Sequence, residues 1–313
     1  MAVYTIIENQ DINYLFQQFG GIESMRGITE GVENTNYLIN CNNNKKYILT
    51  IFEKRTKASD IPFFHRAMKE FSLNGINCPT PIIVNEKDIF KAKEKPCAIY
   101  SFVNGTKITS LNDQVIISLS KSISKIHHIG IESRLYRENN MLKPTWKYIL
   151  GKFKDYKGKS YDELNYVFNI IKILENKFPK NLKSALVHGD LFKDNIFFEN
   201  DEVSGFIDFF FTCSDTIVYD LATLINAWFF NLNGFDEHHF QIFYNHYFDS
   251  ISWTNEEKEN LNFYLKASAI RFFLTRMHDQ YFNKDGEVNH KDPLEFFKIL
   301  QFHEKNNLQD YFD

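Results

Sequence analysis

Two spacings of apolar residues divide the chain. In the first hundred or so residues they alternate with polar ones in short runs. Tyr37–Ile39 and Tyr47–Phe52 show the alternation, and the polar turn Asn42–Asn44 between them predicts an antiparallel hairpin. A short strand and a helix over Ile12–Phe19 are expected before it, and the glycine- and asparagine-bearing stretch Gly27–Asn36 leads into it. Residues 60–73 carry Ile61, Phe64, Met68 and Phe71 at helical spacing. Gly75 is placed to close that helix, and the prolines of "CPTPIIV" set an extended entry into another strand. "KPCAIYSFVNG", residues 95–105, predicts a further strand ending at a glycine turn.

Beyond residue 105 the period becomes helical. Val115, Ile116, Leu119, Ile123 and Ile126 share one face of residues 113–128, and Leu164, Phe168, Ile171 and Leu174 share one face of residues 161–178. Two short apolar runs, "ALVHGDLFKDNIFF" and "VSGFIDFF", interrupt the helices as strands, the second being the expected hairpin partner of the first. Helices are then expected over Tyr219–Phe230, Glu237–Tyr247, Asn255–His278 and Asp292–His303. The pattern predicts an α+β chain in two lobes. A small antiparallel-sheet lobe takes residues 1–105 and a larger, mainly helical lobe takes residues 106–313, with the ligand site expected in a cleft between them.

Composition narrows the class. A chain of 313 residues, 43% hydrophobic and 24% charged, can bury a large core, and its mean hydropathy of -0.37 is that of a water-soluble protein despite 32 Phe and 16 Tyr. No apolar run reaches the roughly 18 residues of a membrane helix. The start "MAVYTIIENQDINYLF" lacks the basic flank and apolar core of a signal peptide, so a cytoplasmic location without a membrane partner is expected. With 36 basic against 40 acidic residues and a formal charge of -4, there is no positive field for nucleic acid. Cys41, Cys78, Cys97 and Cys213 stand far apart, which argues for buried free thiols rather than a disulfide framework or a zinc knuckle.

Charged groups inside the two apolar runs carry the chemistry. Asp190 follows Val187 and His188 at a strand end, Asn195 comes five residues later, and Asp208 ends the second run after Phe206 and Ile207. Taken singly, such an aspartate is a turn or cap residue. Together, two carboxylates and an amide converging from strand ends make an all-oxygen set suited to Mg2+, with one carboxylate left to take a proton from an attacking hydroxyl. Phosphoryl transfer from ATP uses these parts.

"HGDLFKDN" followed by "IDF" resembles the motif of the aminoglycoside and choline kinase family, relatives of the protein kinases. The wording outside it ("GVENTNYLI", "YILTIFEKR", "VHGDLFKDNIFF", "SGFIDFFFTCSDTIVYDLA", "RFFLTRMHD", "KDPLEFF") is similar to the bacterial homoserine kinases of the non-GHMP class, from Val3 to His303. The resemblance implies a protein-kinase-like fold, ATP and Mg2+ as cofactors, and a small amino-acid substrate whose phosphorylated product feeds threonine synthesis. It implies Asp190 as the base, Asn195 and Asp208 as Mg2+ ligands, and His188 as a shaper of the catalytic loop rather than a base. Gly31, Asn34 and Thr35 fall in the stretch that resembles the loop over the ATP phosphates, without a full GxGxxG.

One departure stands out: the lysine expected on the second hairpin strand falls at Thr50. Lys54 and Arg55 are the nearby cations, either reaching inward or solvated in a turn, and Glu70 is their helical partner in the family pattern. For the substrate carboxylate, Arg271 and Arg276 are the candidates, opposed around one apolar helix so that one of them meets substrate while the other pairs internally. For the ammonium, Asp220 is a candidate that also reads as a helix N-cap, beside Asp215 and Asp279. Phe209, Phe210, Phe211, Tyr219 and Trp228 make either an aromatic pocket wall, which would favour choline, or plain core. Choline, methylthioribose or an aminoglycoside as acceptor, and a nucleotide-binding module without transfer, remain the alternative readings.

Overall fold

The computed structural model describes residues 5–29, 34–53, 56–282 and 291–308. The described residues divide into two compact units, one holding those up to Gly105 together with Ser204–Phe210, the other Thr106–Val203, Phe211–Phe282 and Lys291–Leu308.

The first unit opens with helix α1 (Asn9–Phe16), started by a reciprocal capping box between Glu8 and Asp11, which buries Ile12, Leu15 and Phe16. Strands β1 (Ile22–Ile28), β2 (Thr35–Cys41) and β3 (Lys46–Ile51) follow, then helix α2 (Ile61–Leu73) and strands β4 (Phe90–Ala92) and β5 (Lys95–Ser101). They form an antiparallel sheet in the order β1-β2-β3-β5-β4. β2 alternates buried and half-buried positions, so Tyr37, Ile39 and Cys41 join Leu49, Ile51, Ile99 and the apolar face of α1 in one core. The predicted strand before α1 is not formed among the described residues. Side chains take the place of a ladder there: Thr5 N donates to Thr35 Oγ1 at 3.1 Å, Ile7 N to the Tyr37 hydroxyl at 3.2 Å, and that hydroxyl to Thr5 O at 2.9 Å.

α2 buries the expected Ile61, Phe64, Met68 and Phe71. Gly75, at φ 82, closes it as a left-handed cap: Ile76 N reaches Phe71 O at 3.0 Å and Gly75 N reaches Ser72 O at 3.0 Å, with Ile76 buried over the end. Phe210 packs edge-on against Phe52 and Phe64, and Phe209 lies against Phe71.

The second unit begins with the short strand β6 (Thr106–Lys107) and helices α3 (Asp113–Glu132), α4 (Lys143–Lys152) and α5 (Tyr161–Asn176). Then come strands β7 (Ala185–Val187), β8 (Ile196–Glu199), β9 (Glu202–Phe206), whose residues from Ser204 belong to the first unit, and β10 (Cys213–Asp215). Helix α6 (Ile217–Trp228), a β11 (Phe230–Asn231) and β12 (Gly234–Phe235) hairpin, and helices α7 (Glu237–Phe248), α8 (Asn255–Phe282) and α9 (Pro293–Lys305) complete it. α6 is buried on nearly every face and packs on α8, α8 also packs on α9, and α3 packs on α7 and β7.

Two expectations are corrected here. The antiparallel partner of β7 is β10, with Val187 opposite Cys213. β9, which leads to Asp208, neighbours β8 in the ribbon β6-β8-β9. β10 is three residues long, too short to carry a periodic signal. The cap of α6 is Thr216, whose hydroxyl accepts from Val218 N at 3.3 Å, so α6 starts at Ile217 and Asp220 lies within its first turn. All four cysteines are free and buried, as expected; burial pushes the Cys78 and Cys97 thiols up to about 12 and raises those of Cys41 and Cys213.

Candidate active site

Apolar β7 delivers the chain to His188, itself fully buried. At Gly189 (φ 82) the backbone turns left-handed, and a Cβ there would stand 2.6 Å from Phe211 O, so only glycine passes. The turn brings Asp190 to a mostly buried position, its side chain 16% exposed. His188 folds back on its own loop: its Nδ1 accepts from Asp190 N at 3.2 Å, which puts the ring proton on Nε2. The contact ties the ring to the backbone of its own loop.

A tight turn over Lys193–Asn195 then returns Asn195, whose Nδ2 donates to both Asp190 O and Asp190 Oδ2 at 2.8 Å. The amide nitrogen is thereby committed to the aspartate, and the amide oxygen is the atom left to act as a hard ligand. Trp228 Nε1 supports the same loop from α6, donating to Leu191 O at 3.0 Å.

Under the loop lies a polar cradle. Asp220 is fully buried, and its carboxylate accepts from His188 N at 3.1 Å and Gly189 N at 2.8 Å, and meets His127 Nε2 at 3.3 Å. His127 in turn touches the Tyr247 hydroxyl through Nδ1 at 2.6 Å, tying α3 and α7 to α6. Burial alone would push the Asp220 carboxyl up; the hydrogen bond and charge from His127 and the Gly189 N–H outweigh it and hold it below its ordinary value. With its oxygens taken in this way, Asp220 serves the loop, and the expected ammonium contact is not its geometry.

Arg271 comes to the loop from α8. It is 1% exposed; its guanidinium donates to Gly189 O and to the Tyr219 hydroxyl, and its second terminal nitrogen lies 3.5 Å from Asp190 Oδ1. It stacks between aromatic faces, with Phe211 at 5.0 Å and Phe272 at 4.4 Å. Arg276 faces elsewhere, donating to Asp292 O at 2.9 Å and Glu295 Oε2 at 2.6 Å over the Phe296 ring, so it fastens α9 to α8. Asp215 is half-buried on β10; it accepts from Asn139 Nδ2 and Thr216 N, each at 2.7 Å, and burial pushes its carboxyl up to about 6.

In the first unit, Asp208 stands after β9 with a φ of 63, a left-handed backbone that aspartate tolerates better than most residues. Thr50 is buried and donates to Asn36 Oδ1 at 2.7 Å, so the lysine's place on β3 is filled by a strand-to-strand hydroxyl bond. Thr35 is fully buried and donates to Glu53 Oε1 at 2.8 Å; Asn34 Oδ1 accepts from Glu53 N at 3.3 Å. Glu53 also receives the Thr5 hydroxyl at 2.6 Å and the Lys95 ammonium. Gly31 and Lys54 lie outside the described residues. The aromatic set resolves as core and scaffold: Phe209 and Phe210 pack with α2, Phe211 and Tyr219 carry Arg271, and Trp228 holds the loop.

Residues 24–249 match the family model described as "Phosphotransferase enzyme family". The homoserine kinase of Rhizobium etli is 33% identical over 309 residues, covering 97% of this chain and 96% of that protein. The homoserine kinase of Rhizobium meliloti is 34% identical over 312 residues, covering 97% and 94%. Among solved structures, an amicoumacin kinase in complex with AMP-PNP, Ca2+ and Ami superimposes with a TM-score of 0.70 at 17% identity, covering 92% of this chain and 89% of that one. A choline kinase from Cryptosporidium parvum does so with a TM-score of 0.63 at 14% identity, covering 92% and 88%. The fold is therefore kinase-like, α+β with an antiparallel sheet and a helical part. The chain is a kinase that belongs to the phosphotransferase enzyme family, with full-length relatives among the homoserine kinases.

Proposed function

We propose that the chain transfers the γ-phosphate of ATP to the side-chain hydroxyl of L-homoserine. The acceptor rests on one observation: similarity to homoserine kinases runs the length of the chain, through the substrate-side helices as well as the motif. Asp190 orients the hydroxyl and takes its proton late in the transfer. Asn195 fixes one carboxylate oxygen and the adjacent carbonyl, and Arg271 lies against the other oxygen, so the base enters the reaction already oriented.

The amide oxygen of Asn195 and the carboxylate of Asp208 are the ligands assigned to Mg2+, a hard ion that these oxygen donors suit. When bound, Mg2+ neutralises phosphate charge as it develops. Asn34 and Gly31 belong to the segment assigned to the ATP phosphates, and Lys54 is the cation assigned there. Thr35 supports that segment through Glu53. Arg271 supports the loop from below, and Asp215 is the half-buried carboxylate available to an ammonium. Phe211 and Tyr219 already lie against the Arg271 guanidinium, and Phe209 is buried against Phe71, which favours an amino-acid acceptor over a quaternary ammonium.

The test is an ADP-release assay with MgATP against L-homoserine, choline, L-serine, L-threonine, methylthioribose and kanamycin. We expect a rate specific to homoserine, reduced by orders of magnitude in Asp190→Asn while the fold is intact. A preference for another acceptor, or a fully active Asp190→Asn, would refute the corresponding half of the proposal.

A further inference from the structure

Away from the catalytic loop, the first turns of α3 and α7 bring three metal-ligating side chains together. His238 Nε2 lies 3.0 Å from Asp113 Oδ1, and His239 Nε2 lies 3.9 Å from the same oxygen. One ligand atom from each of the three residues falls within 4.8 Å of the others. A tetrahedral ion with bonds of about 2.0–2.1 Å spaces its donors about 3.3 Å apart, so side-chain adjustments of about an ångström would seat one.

Consecutive residues of a helix point about 100° apart and do not ordinarily face one partner. Here His239 is turned back by its own cap: His239 Nδ1 meets Asp236 Oδ2 at 2.8 Å, while Asp236 Oδ1 accepts His239 N at 3.2 Å. A carboxylate on Nδ1 directs the Nε2 lone pair outward and raises its basicity, the arrangement that accompanies metal-bound imidazoles. His238 is exposed and His239 mostly buried, so water would complete the coordination.

We propose that Asp113, His238 and His239 bind a divalent transition-metal ion of the Zn2+ class, clipping the start of α7 to the start of α3. Two imidazoles with one carboxylate select borderline ions over Mg2+, which prefers oxygen alone and keeps its waters. The site is thus chemically distinct from the one that serves ATP.

The experiment uses the full chain stripped with EDTA, titrated with Zn2+ by calorimetry and with Co2+ by visible absorption, in excess Mg2+. One equivalent of Zn2+ should bind, Co2+ should give a ligand-field band, and Zn2+ should raise the melting temperature. His238→Ala, at an exposed position, should lose at least about tenfold in affinity and the band with it. Asp236→Asn retains a cap oxygen but loses the carboxylate, and should weaken binding about 10- to 100-fold. Unchanged Zn2+ affinity in His238→Ala, or the absence of both heat and band in the parent chain, would overturn the proposal and leave only histidine–aspartate ion pairs.

Discussion

Replacing Asp220 with asparagine probes the cradle under the catalytic loop with almost no change of shape. The carboxylate, fully buried, accepts from His188 N and Gly189 N and meets His127. An asparagine has one acceptor oxygen. If that oxygen keeps Gly189 N, the amide NH2 takes the place of Oδ2 and faces both His188 N–H and His127 Nε2. One charge-assisted hydrogen bond, about 1.5–3 kcal/mol, is lost, and a buried N–H left unpaired adds about 1–3 kcal/mol. The sum of about 2.5–6 kcal/mol brackets the roughly 3–5 kcal/mol cost of breaking a buried charged pair and is less than most of the roughly 5–15 kcal/mol that holds a domain folded, so the variant should still fold.

Urea unfolding should show that loss, and turnover should fall at least about tenfold because the same bonds set the Gly189–Asp190 backbone. The effect has a pH sign. Asp220 titrates below its ordinary 3.8 in the folded chain, so the unfolded chain binds more protons between the two values. The stabilisation is complete above the ordinary value and disappears as pH falls through the depressed one. The gap between parent and Asp220→Asn should therefore close on acidification. A variant within about 0.5 kcal/mol of the parent at pH 7, with unchanged turnover, would refute the cradle.

Two further substitutions test the loop from other sides. Gly189→Ala must place a Cβ 2.6 Å from Phe211 O at a φ of 82, which should cost at least about 2 kcal/mol and most of the activity; a thermal melt equal to the parent's would show that the turn relaxes freely. Arg271→Lys keeps the charge but cannot serve Gly189 O, Tyr219 and Asp190 together, so turnover should fall roughly ten- to hundredfold, about 1.4–2.8 kcal/mol, with KM for ATP little changed. Turnover equal to the parent's would mean that the fork is not needed.

Periodicity makes α2, α3 and α5 legible because each buries one stripe, although in α5 Phe168 is exposed while Val167 and Ile170 join the buried face. Periodicity does not reveal β1, because no residue of it is buried and its half-buried and exposed positions do not alternate cleanly. α4 was missed because Trp146 and Ile149 are its only buried positions, a weaker stripe than its neighbours carry. Within the site, His188, Asp190 and Asn195 could be read locally because their mutual contacts span two to five residues. The roles of Asp220 and Arg271 could not: their loop partners lie 31 and 82 residues away, and composition marks them only as charges on apolar helices. Both were singled out for substrate, since a charge in an apolar helix needs a partner, yet their partners are the backbone of the loop itself. Trp228 reads from the sequence as pocket wall or plain core; its N–H instead holds Leu191 O, 37 residues away.

The buried thiols have a practical side. Burial pushes the Cys78 and Cys97 thiols up to about 12, so thiolate is scarce at neutral pH, and Cys41 and Cys213 are equally enclosed. A maleimide reagent therefore meets a surface that behaves as if it had no cysteine. A single one introduced at fully exposed Leu232 would be the sole fast-reacting group, and a fluorophore could be attached there without first stripping the chain of its native thiols.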